Sequence, residues 1–335
     1  MSTPSSAPVF VSSEAARTVF RWTDAIQALQ AAYAQQIPPK ATPARSVAVA
    51  GKTWLRTLPA VPVGGRYYGA KLMGAAMGAG QGGVEYVIVL FDQQTSRIAG
   101  FVDGNLVTGF RTAATSASAL DRLAPQGAAR LAVLGSGLEA SMHTRAFAAV
   151  RDLTEVVVFS PTPERRAAFA AAVTRDLGVP ARGVATAQEA VEGADIVLAA
   201  ARSKGEVPIL FGDWIKADAT VVSIGSTVPE QREIDTSVVA RSEIIVCDML
   251  EEVLEETGDM IAAHQAGLAF HDKSFSITDL MTGQLDERLS RAKARMFKSV
   301  GGGLQDIVVA ELILIRALEA GLATPLPMAF DTKSL

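Results

Sequence analysis

A single cysteine, Cys247, is all the thiol chemistry in this 335-residue sequence, so no disulfide can close within the chain and no cysteine-based metal framework is available. It lies in the apolar run Glu243-Ile-Ile-Val-Cys-Asp248, where a buried structural thiol is expected rather than a nucleophile. Histidine is scarce too. His143, His264 and His271 have no Cys or His cluster at ligand spacing around them, and no metal site is expected. No charge of one sign dominates: the net charge is −4, with Arg and Lys scattered along the chain, which excludes the electrostatic footprint of a nucleic-acid or anionic-membrane binder. Long apolar runs are missing as well. Ile307 to Ile315 is interrupted by Glu311 and closed by Arg316, too short and too charged to span a bilayer. Met1 to Pro8 is small and polar, without a basic stretch leading into an apolar one, so no signal peptide is expected and the location expected is cytoplasmic.

What the chain does have is apolar mass. With 49% hydrophobic and 20% charged residues, it can bury a large core and is expected to form about two domains. Residues 8 to 11 read as a short strand, and Thr23 reads as the cap of a helix with Ile26, Leu29 and Tyr33 on one face, stopped by Pro38-Pro39. Arg45–Ala50, Thr53–Leu58, Tyr67–Met73, Val84–Phe91 and Arg97–Val102 are rich in β-formers and separated by turn residues, which predicts a mostly antiparallel sheet. Asp103-Gly-Asn105 leaves it, Leu106 to Leu123 reads as a helix, and Pro125-Gln-Gly127 marks a boundary.

Beyond that boundary, apolar runs recur at α/β spacing: Leu131–Leu134, Val156–Phe159, Ile196–Ala200, Val221–Ile224 and Ile244–Val246, with helical periodicity in Pro163–Leu177 and Ala187–Val191 between them. The pattern predicts an α/β chain with a Rossmann-type, doubly wound parallel sheet over residues 126–302. Leu304 to Glu319 reads as a helix with a broad apolar face, expected to return to the first domain.

The second domain opens on Arg130-Leu-Ala-Val-Leu-Gly-Ser-Gly-Leu-Glu-Ala140. A strand, a Gly135-Ser136-Gly137 turn and a helix starting at Leu138, Glu139 and Ala140 follow the order of a dinucleotide-binding βαβ unit. The first glycine permits the turn, the second lets amides approach a pyrophosphate, and the helix N-terminus adds partial positive charge. At the end of the next strand, where an acid would hold the ribose of NAD, stands Ser160, followed by Thr162, Arg165 and Arg166. Hydroxyls and guanidinium groups suit a 2′-phosphate, so NADP(H) is favoured over NAD(H).

In the first domain three cations sit among apolar or small neighbours: Arg45, Lys71 and Arg111. An unpaired charge there is costly, so each is expected to meet a carboxylate, belonging either to the protein or to a small anionic substrate.

Together these segments resemble the ornithine cyclodeaminase and mu-crystallin family. The resemblance is carried by Pro43 to Val47, Leu58-Pro-Ala60, Ala70-Lys-Leu72, Leu90-Phe-Asp92, Asp103-Gly-Asn105, Arg111-Thr-Ala-Ala-Thr-Ser116, the glycine motif and Pro208-Ile-Leu210. Ile224-Gly-Ser-Thr-Val-Pro-Glu-Gln-Arg-Glu-Ile234, Thr257-Gly-Asp259, Phe297-Lys-Ser-Val-Gly301 and Gln305-Asp306 complete it. It implies a homodimer, with residues 1–125 as the substrate-binding and dimerisation domain, an α+β unit completed by the C-terminal helix 303–335. It also implies nicotinamide chemistry at a carbon bearing nitrogen, Arg45, Lys71 and Arg111 holding a substrate carboxylate. The cofactor site it implies extends to Thr112, Ala201, Ser226, Ser299, Val300 and Gly301.

Two positions depart from the cyclodeaminases of that family. Thr227 stands where they carry an aspartate implicated in deamination and cyclisation, which removes the evident general base. Arg56 stands where the ornithine users resemble one another in placing an acid, and a cation there suits a second carboxylate better than a distal amine. The resemblance therefore leans to imine and ketimine reductases acting on small 2-imino acids, with Lys71, Arg111 and Thr227 in catalytic roles and Arg56 among the substrate contacts. Ornithine cyclodeaminase, an alanine-type amino-acid dehydrogenase and a non-catalytic NADPH-dependent binding protein remain as alternatives.

Overall fold

A computed structural model describes residues 7–76 and 83–333. The chain forms two compact units, one built from the chain up to Arg111 and from Gly302 onward, the other from Thr112–Gly301. The helix Gly104–Leu123 carries the chain from the first to the second.

The sheet of the first unit contains β1 (Val9–Val11), β2 (Ser46–Ala50), β3 (Thr53–Ala60), β4 (Tyr67–Ala76), β5 (Gly83–Asp92) and β6 (Ile98–Asp103). From β2 to β6 neighbours pair antiparallel in chain order, and β1 joins β6 in parallel. The register puts Leu58, Lys71, Ile88 and Val102 in one row across β3 to β6. Opposed residues share a face, and the apolar members of this row are buried. The helix Gly303–Glu319 packs over β3, β4 and β5, burying Ile307, Ala310, Ile313, Leu314 and Ala317 along one side as the apolar spacing requires.

Two helices, Ser13–Val19 and Trp22–Tyr33, lie between β1 and β2 in the chain. The first, only 7 residues long and capped by Ser12, is too short for periodicity to reveal. The second buries Ile26, Leu29 and Tyr33 but does not use Thr23 as its cap; its N-cap is Arg21, without a side-chain bond. Aromatic packing supplies the reason. Phe20 stacks on Phe110 at 3.9 Å and meets the edge of Trp22 at 4.7 Å, which draws the helix start back to Trp22.

The second unit holds an all-parallel sheet: β7 (Ala128–Leu134), β8 (Asp152–Phe159), β9 (Ala181–Gly183), β10 (Ile196–Ala199), β11 (Thr220–Ser223), β12 (Ile244–Cys247), β13 (Ser274–Ser276) and β14 (Arg295–Lys298). Its order is β13-β12-β14-β11-β10-β7-β8-β9. Strands β10, β11 and β12 are buried along their whole length, as a sheet covered on both faces demands. The direction of winding reverses at β7, between β8 and β10, the switch point at which such sheets bind ligands. The interior strand β14 is absent from the sequence reading because both its end residues, Arg295 and Lys298, are charged. Burial pushes the Cys247 thiol well above its ordinary range, which makes it inert. The chain ends in the first unit, where β15 (Thr324–Pro325) pairs with β1. Among the described residues no helix is long and apolar enough to cross a membrane.

Candidate functional site

The chemistry of the first unit gathers on the start of the helix Gly303–Glu319. Asp306, fully buried, accepts from Lys71 Nζ at 2.9 Å and stands 3.1 Å from Arg111 Nε. Arg111 Nη1 donates to Gln305 Oε1 at 2.9 Å, and Gln305 Nε2 donates to the Tyr33 hydroxyl at 3.0 Å. Lys71 is 1% exposed. Burial pulls its ammonium down to about 8, helped by the charges of Arg111 and Arg56 and resisted by Asp306. Two buried cations thus share one carboxylate, an excess of one positive charge that a bound carboxylate would balance.

Arg56 lies on the same sheet face as Lys71, two residues before the Leu58 that opposes it. It is half-buried, with its guanidinium 5.5 Å from the centre of the Trp54 ring. Arg45 precedes β2, two residues before Val47, which pairs with Arg56. It is half-buried rather than buried, because β2 is an edge strand exposed along its length. Sequence context alone made Arg45 look as enclosed as Lys71.

In the second unit the glycine loop follows β7. Gly135 has φ of +121°, and a Cβ there would meet the Ala200 carbonyl oxygen at 2.7 Å, so both conformation and space require glycine. Gly137 is the N-cap of the helix Leu138–Ala148 and makes no side-chain cap bond; around it a Cβ would meet nothing within 4 Å. The first-turn amides therefore open onto space beside an exposed Leu138 and a half-buried Glu139, which fits a pyrophosphate. Ala140 is buried. The helix is tied down by His143, whose Nδ1 donates to the Glu139 carbonyl at 2.7 Å, leaving Nε2 to accept from Ser116 Oγ at 3.0 Å.

Past the end of β8, Ser160 is buried and accepts from Ser136 Oγ at 2.9 Å. Thr162 and Arg165 are exposed, whereas Arg166 is half-buried and donates to the Ser160 carbonyl at 3.0 Å. Arg166 is therefore the guanidinium that stands beside Ser160.

The loops after β10, β11 and β14 are held by buried acids that the sequence reading did not single out. Glu233 accepts from the amides of Ala201 at 3.0 Å, Ile224 at 3.1 Å and Gly225 at 2.9 Å, and from Ser223 Oγ at 2.8 Å. Asp248 accepts from Ser299 Oγ at 2.6 Å and from the amides of Val300 at 3.0 Å and Gly301 at 2.8 Å. Asp259 accepts from Lys298 Nζ at 2.9 Å and from the Glu233 amide at 2.9 Å. The hydroxyls of Ser226 and Ser299 are turned into the protein, Ser226 Oγ donating to the Gln231 carbonyl at 2.6 Å. Thr227 is half-buried and donates through both its amide and its hydroxyl to Gln231 Oε1, at 2.9 and 3.0 Å. Thr112, next to Arg111 on its helix, and Ala201 are half-buried. Asp306 and Lys298 carry the same signal as the cations named above, a charge beside apolar or small residues, whereas Glu233, between Arg232 and Ile234-Asp235, carries none. Among the described residues no group of three His, Cys, Asp or Glu side chains is placed to hold a metal ion.

Comparison with known proteins bears on the fold and the family. Over 226 residues, 68% of this chain and 67% of the relative, the sequence is 32% identical to the ketimine reductase mu-crystallin of Mus musculus. It is 30% identical over 236 residues, 70% of this chain and 72% of the relative, to the Δ1-pyrroline-2-carboxylate reductase of Bacillus cereus. The fold matches the structure of Thermococcus litoralis Δ1-pyrroline-2-carboxylate reductase in complex with NADH and L-proline, with a TM-score of 0.84, 24% identity and coverage of 95% of this chain and 100% of that one. Residues 9–321 match the description of a single family. The chain belongs to the ornithine cyclodeaminase/mu-crystallin family.

Proposed function

We propose that the chain is an NAD(P)H-dependent oxidoreductase that reduces the C=N bond of small 2-imino acids to give α-amino acids. The observation that carries this reading is the buried Lys71 and Arg111 on the single carboxylate of Asp306. A desolvated site with one positive charge in excess selects an anionic substrate, and a guanidinium holds a carboxylate in a fixed orientation. Lys71, Arg111 and Arg45 bind that carboxylate in this reading, and Arg56 takes a second one where the imine is dicarboxylic. The names of the mouse and Bacillus relatives, ketimine reductase and pyrroline-2-carboxylate reductase, point the same way.

The second unit binds the nicotinamide cofactor through Thr112, the loop Gly135 to Ala140, Ala201, Ser226 and the segment Ser299–Gly301. Ser160, Thr162, Arg165 and Arg166 favour NADP(H) over NAD(H), since no acid is present to repel a 2′-phosphate. When bound, the reduced cofactor supplies a hydride to the imine carbon. The proton for nitrogen is held at Lys71 Nζ, whose pKa of about 8 keeps it charged yet able to give the proton up near neutrality. Thr227, whose hydroxyl donates to Gln231 Oε1, is assigned in this reading to orienting a water or the imine nitrogen. With a threonine rather than an aspartate there, no general base is at hand for ornithine cyclisation.

The chain acts as a homodimer in this reading: β2 carries Val47 and Val49, the latter 69% exposed, on an edge strand open on both faces, an aggregation hazard unless a partner covers it. Light scattering is expected to give twice the chain mass of 35.1 kDa.

The function is tested by following NADPH oxidation with Δ1-pyrroline-2-carboxylate, Δ1-piperideine-2-carboxylate and pyruvate plus methylamine, beside ornithine turnover to proline. Imine-dependent oxidation is expected. Ornithine turnover without imine reduction overturns the reading in favour of a cyclodeaminase, oxidation sustained by pyruvate and ammonia alone favours a dehydrogenase, and cofactor binding without any turnover favours a binding protein.

A further inference from the structure

The carboxyl group of Glu233 is fully buried, and everything within hydrogen-bonding distance of it is a donor. Three are main-chain amides, those of Ala201, Ile224 and Gly225, and the fourth is Ser223 Oγ. They come from the ends of two neighbouring strands, β10 and β11, whose following residues include Ala201, Ser226 and Thr227. Glu233 thus accepts from both segments. The approach is close: a Cβ at Gly225 would stand 2.2 Å from Glu233 Oε1, so any larger residue there would displace the carboxylate.

We propose that Glu233 is the positioning residue of the loops after β10 and β11, its one carboxylate drawing their amides together and thereby setting where Ala201, Ser226 and Thr227 are presented to the cofactor. The inference rests on the reading of the chain as a nicotinamide-dependent enzyme. Its physical basis is that a buried carboxylate accepting several amide bonds gains charge-assisted hydrogen bonds that no neutral side chain of its size can reproduce.

Four charged groups surround it. Lys298 from β14 donates at 3.1 Å to Ser223 Oγ, which in turn donates to Glu233. Asp259, at the start of the helix Gly258–Gln265, accepts from Lys298 and from the Glu233 amide. Arg232, Glu233's own neighbour, reaches Asp259 at 3.3 Å, and Glu206 accepts from the Arg232 amide at 3.1 Å. Burial pushes the Glu233 carboxyl up to about 7, with Asp259 adding to the rise and Lys298, the Gly225 amide and Ser223 opposing it. Between its ordinary value of 4.5 and about 7 the folded chain holds a proton that the unfolded chain has released, so ionising Glu233 lowers stability as pH rises through that window. The carboxylate is kept at the expense of stability, as expected of a group retained for geometry.

The test is a titration of NADPH binding, followed by its fluorescence without substrate, across about pH 6 to 9, for the wild type and Glu233→Gln. The wild type is expected to bind roughly tenfold tighter as pH rises through neutrality, and Glu233→Gln to bind roughly tenfold weaker at the upper end with no such step. The cofactor's own ionisation is common to both proteins and cancels in their ratio. Parallel pH profiles for the two proteins overturn the proposal. Absence of NADPH and NADH binding by the wild type overturns the underlying reading instead. Should Glu233→Gln fail to fold, the wild type decides alone: the amide resonances of Ala201, Ile224 and Gly225 are expected to titrate together with one midpoint near neutrality, and flat shifts contradict the proposal.

Discussion

In the first unit, Lys71 and Arg111 share one buried acid, Asp306; in the second, Lys298 and Arg232 both meet Asp259, and Ser223 Oγ links Lys298 to a second acid, Glu233. Lys71, Arg111 and Asp306 on one side and Lys298, Asp259 and Glu233 on the other are buried, yet the clusters are balanced differently. The second has no cation in excess of its acids, and the amides of Ala201, Ile224, Gly225 and Ile234 donate to Glu233 and Asp259 as well. It is closed upon itself and holds main chain. The first sets two cations on one carboxylate, and the Gln305 and Tyr33 side chains that continue it are neutral. A desolvated charge left over in this way has a cost that an incoming anion relieves. In the reading proposed here, the contrast separates a cluster that positions loops from one that receives a carboxylate.

The largest effect is expected from Asp306→Asn, which leaves Lys71 and Arg111 buried without a counter-charge. Breaking such a pair costs about 3–5 kcal/mol, to be read as a lower midpoint in urea unfolding; an unchanged midpoint would show that the two cations do not depend on Asp306. Next is Arg111→Ala, for which truncating one member of a buried charge network predicts a loss of about 2–5 kcal/mol in transition-state binding. The expected fall in kcat/KM is roughly 30-fold to several thousand-fold for an imino acid, against little change in NADPH affinity measured without substrate. Equal losses in both would remove the distinction between the two clusters.

The pH dependence of the two clusters differs in sign. Lys71 has its pKa lowered from 10.5 to about 8. Below about 8 the folded chain bears the whole cost of the buried charge, and between there and 10.5 it has released a proton the unfolded chain retains, so stability rises with pH in that window. Glu233 contributes the opposite slope, and lower down, between 4.5 and about 7. Substrate KM is expected to rise above about pH 8 as Lys71 loses the charge that holds the carboxylate, and the Lys71→Met variant should lose that rise. The smallest effect is expected at the adenosine end. Ser160→Asp is expected to shift the ratio of kcat/KM for NADPH over NADH towards NADH by about 1–3 kcal/mol, while Arg166→Ala should weaken NADPH binding more than NADH binding.

Much of this molecule was legible from periodicity. The glycine loop, the strands β7, β8, β10, β11 and β12 and the apolar face of the helix Gly303–Glu319 all follow from runs and spacings that a strand or helix must have. The interior strand β14 escaped because Arg295 and Lys298 break its apolar run, and Lys298 is charged for a reason that lies elsewhere in the chain, at Asp259. The same holds for the site. Lys71 and Arg111 stand out as charges among small residues, but their meeting at Asp306 spans 235 and 195 positions of sequence (306 − 71 and 306 − 111). Glu233 and Asp248 escaped because their partners are backbone amides, which carry no residue identity to be read. Arg45 shows the converse error: its neighbours are apolar, yet it adjoins an edge strand, and sequence context does not tell an edge from a centre.

The most direct test of the account is the rate of NADPH oxidation with Δ1-pyrroline-2-carboxylate set against that with 1-pyrroline, the same imine without its carboxylate. If Lys71 and Arg111 form a carboxylate site, the acid is reduced and its decarboxylated analogue loses about 10²-fold or more in kcat/KM. Equal rates for the two imines would contradict it.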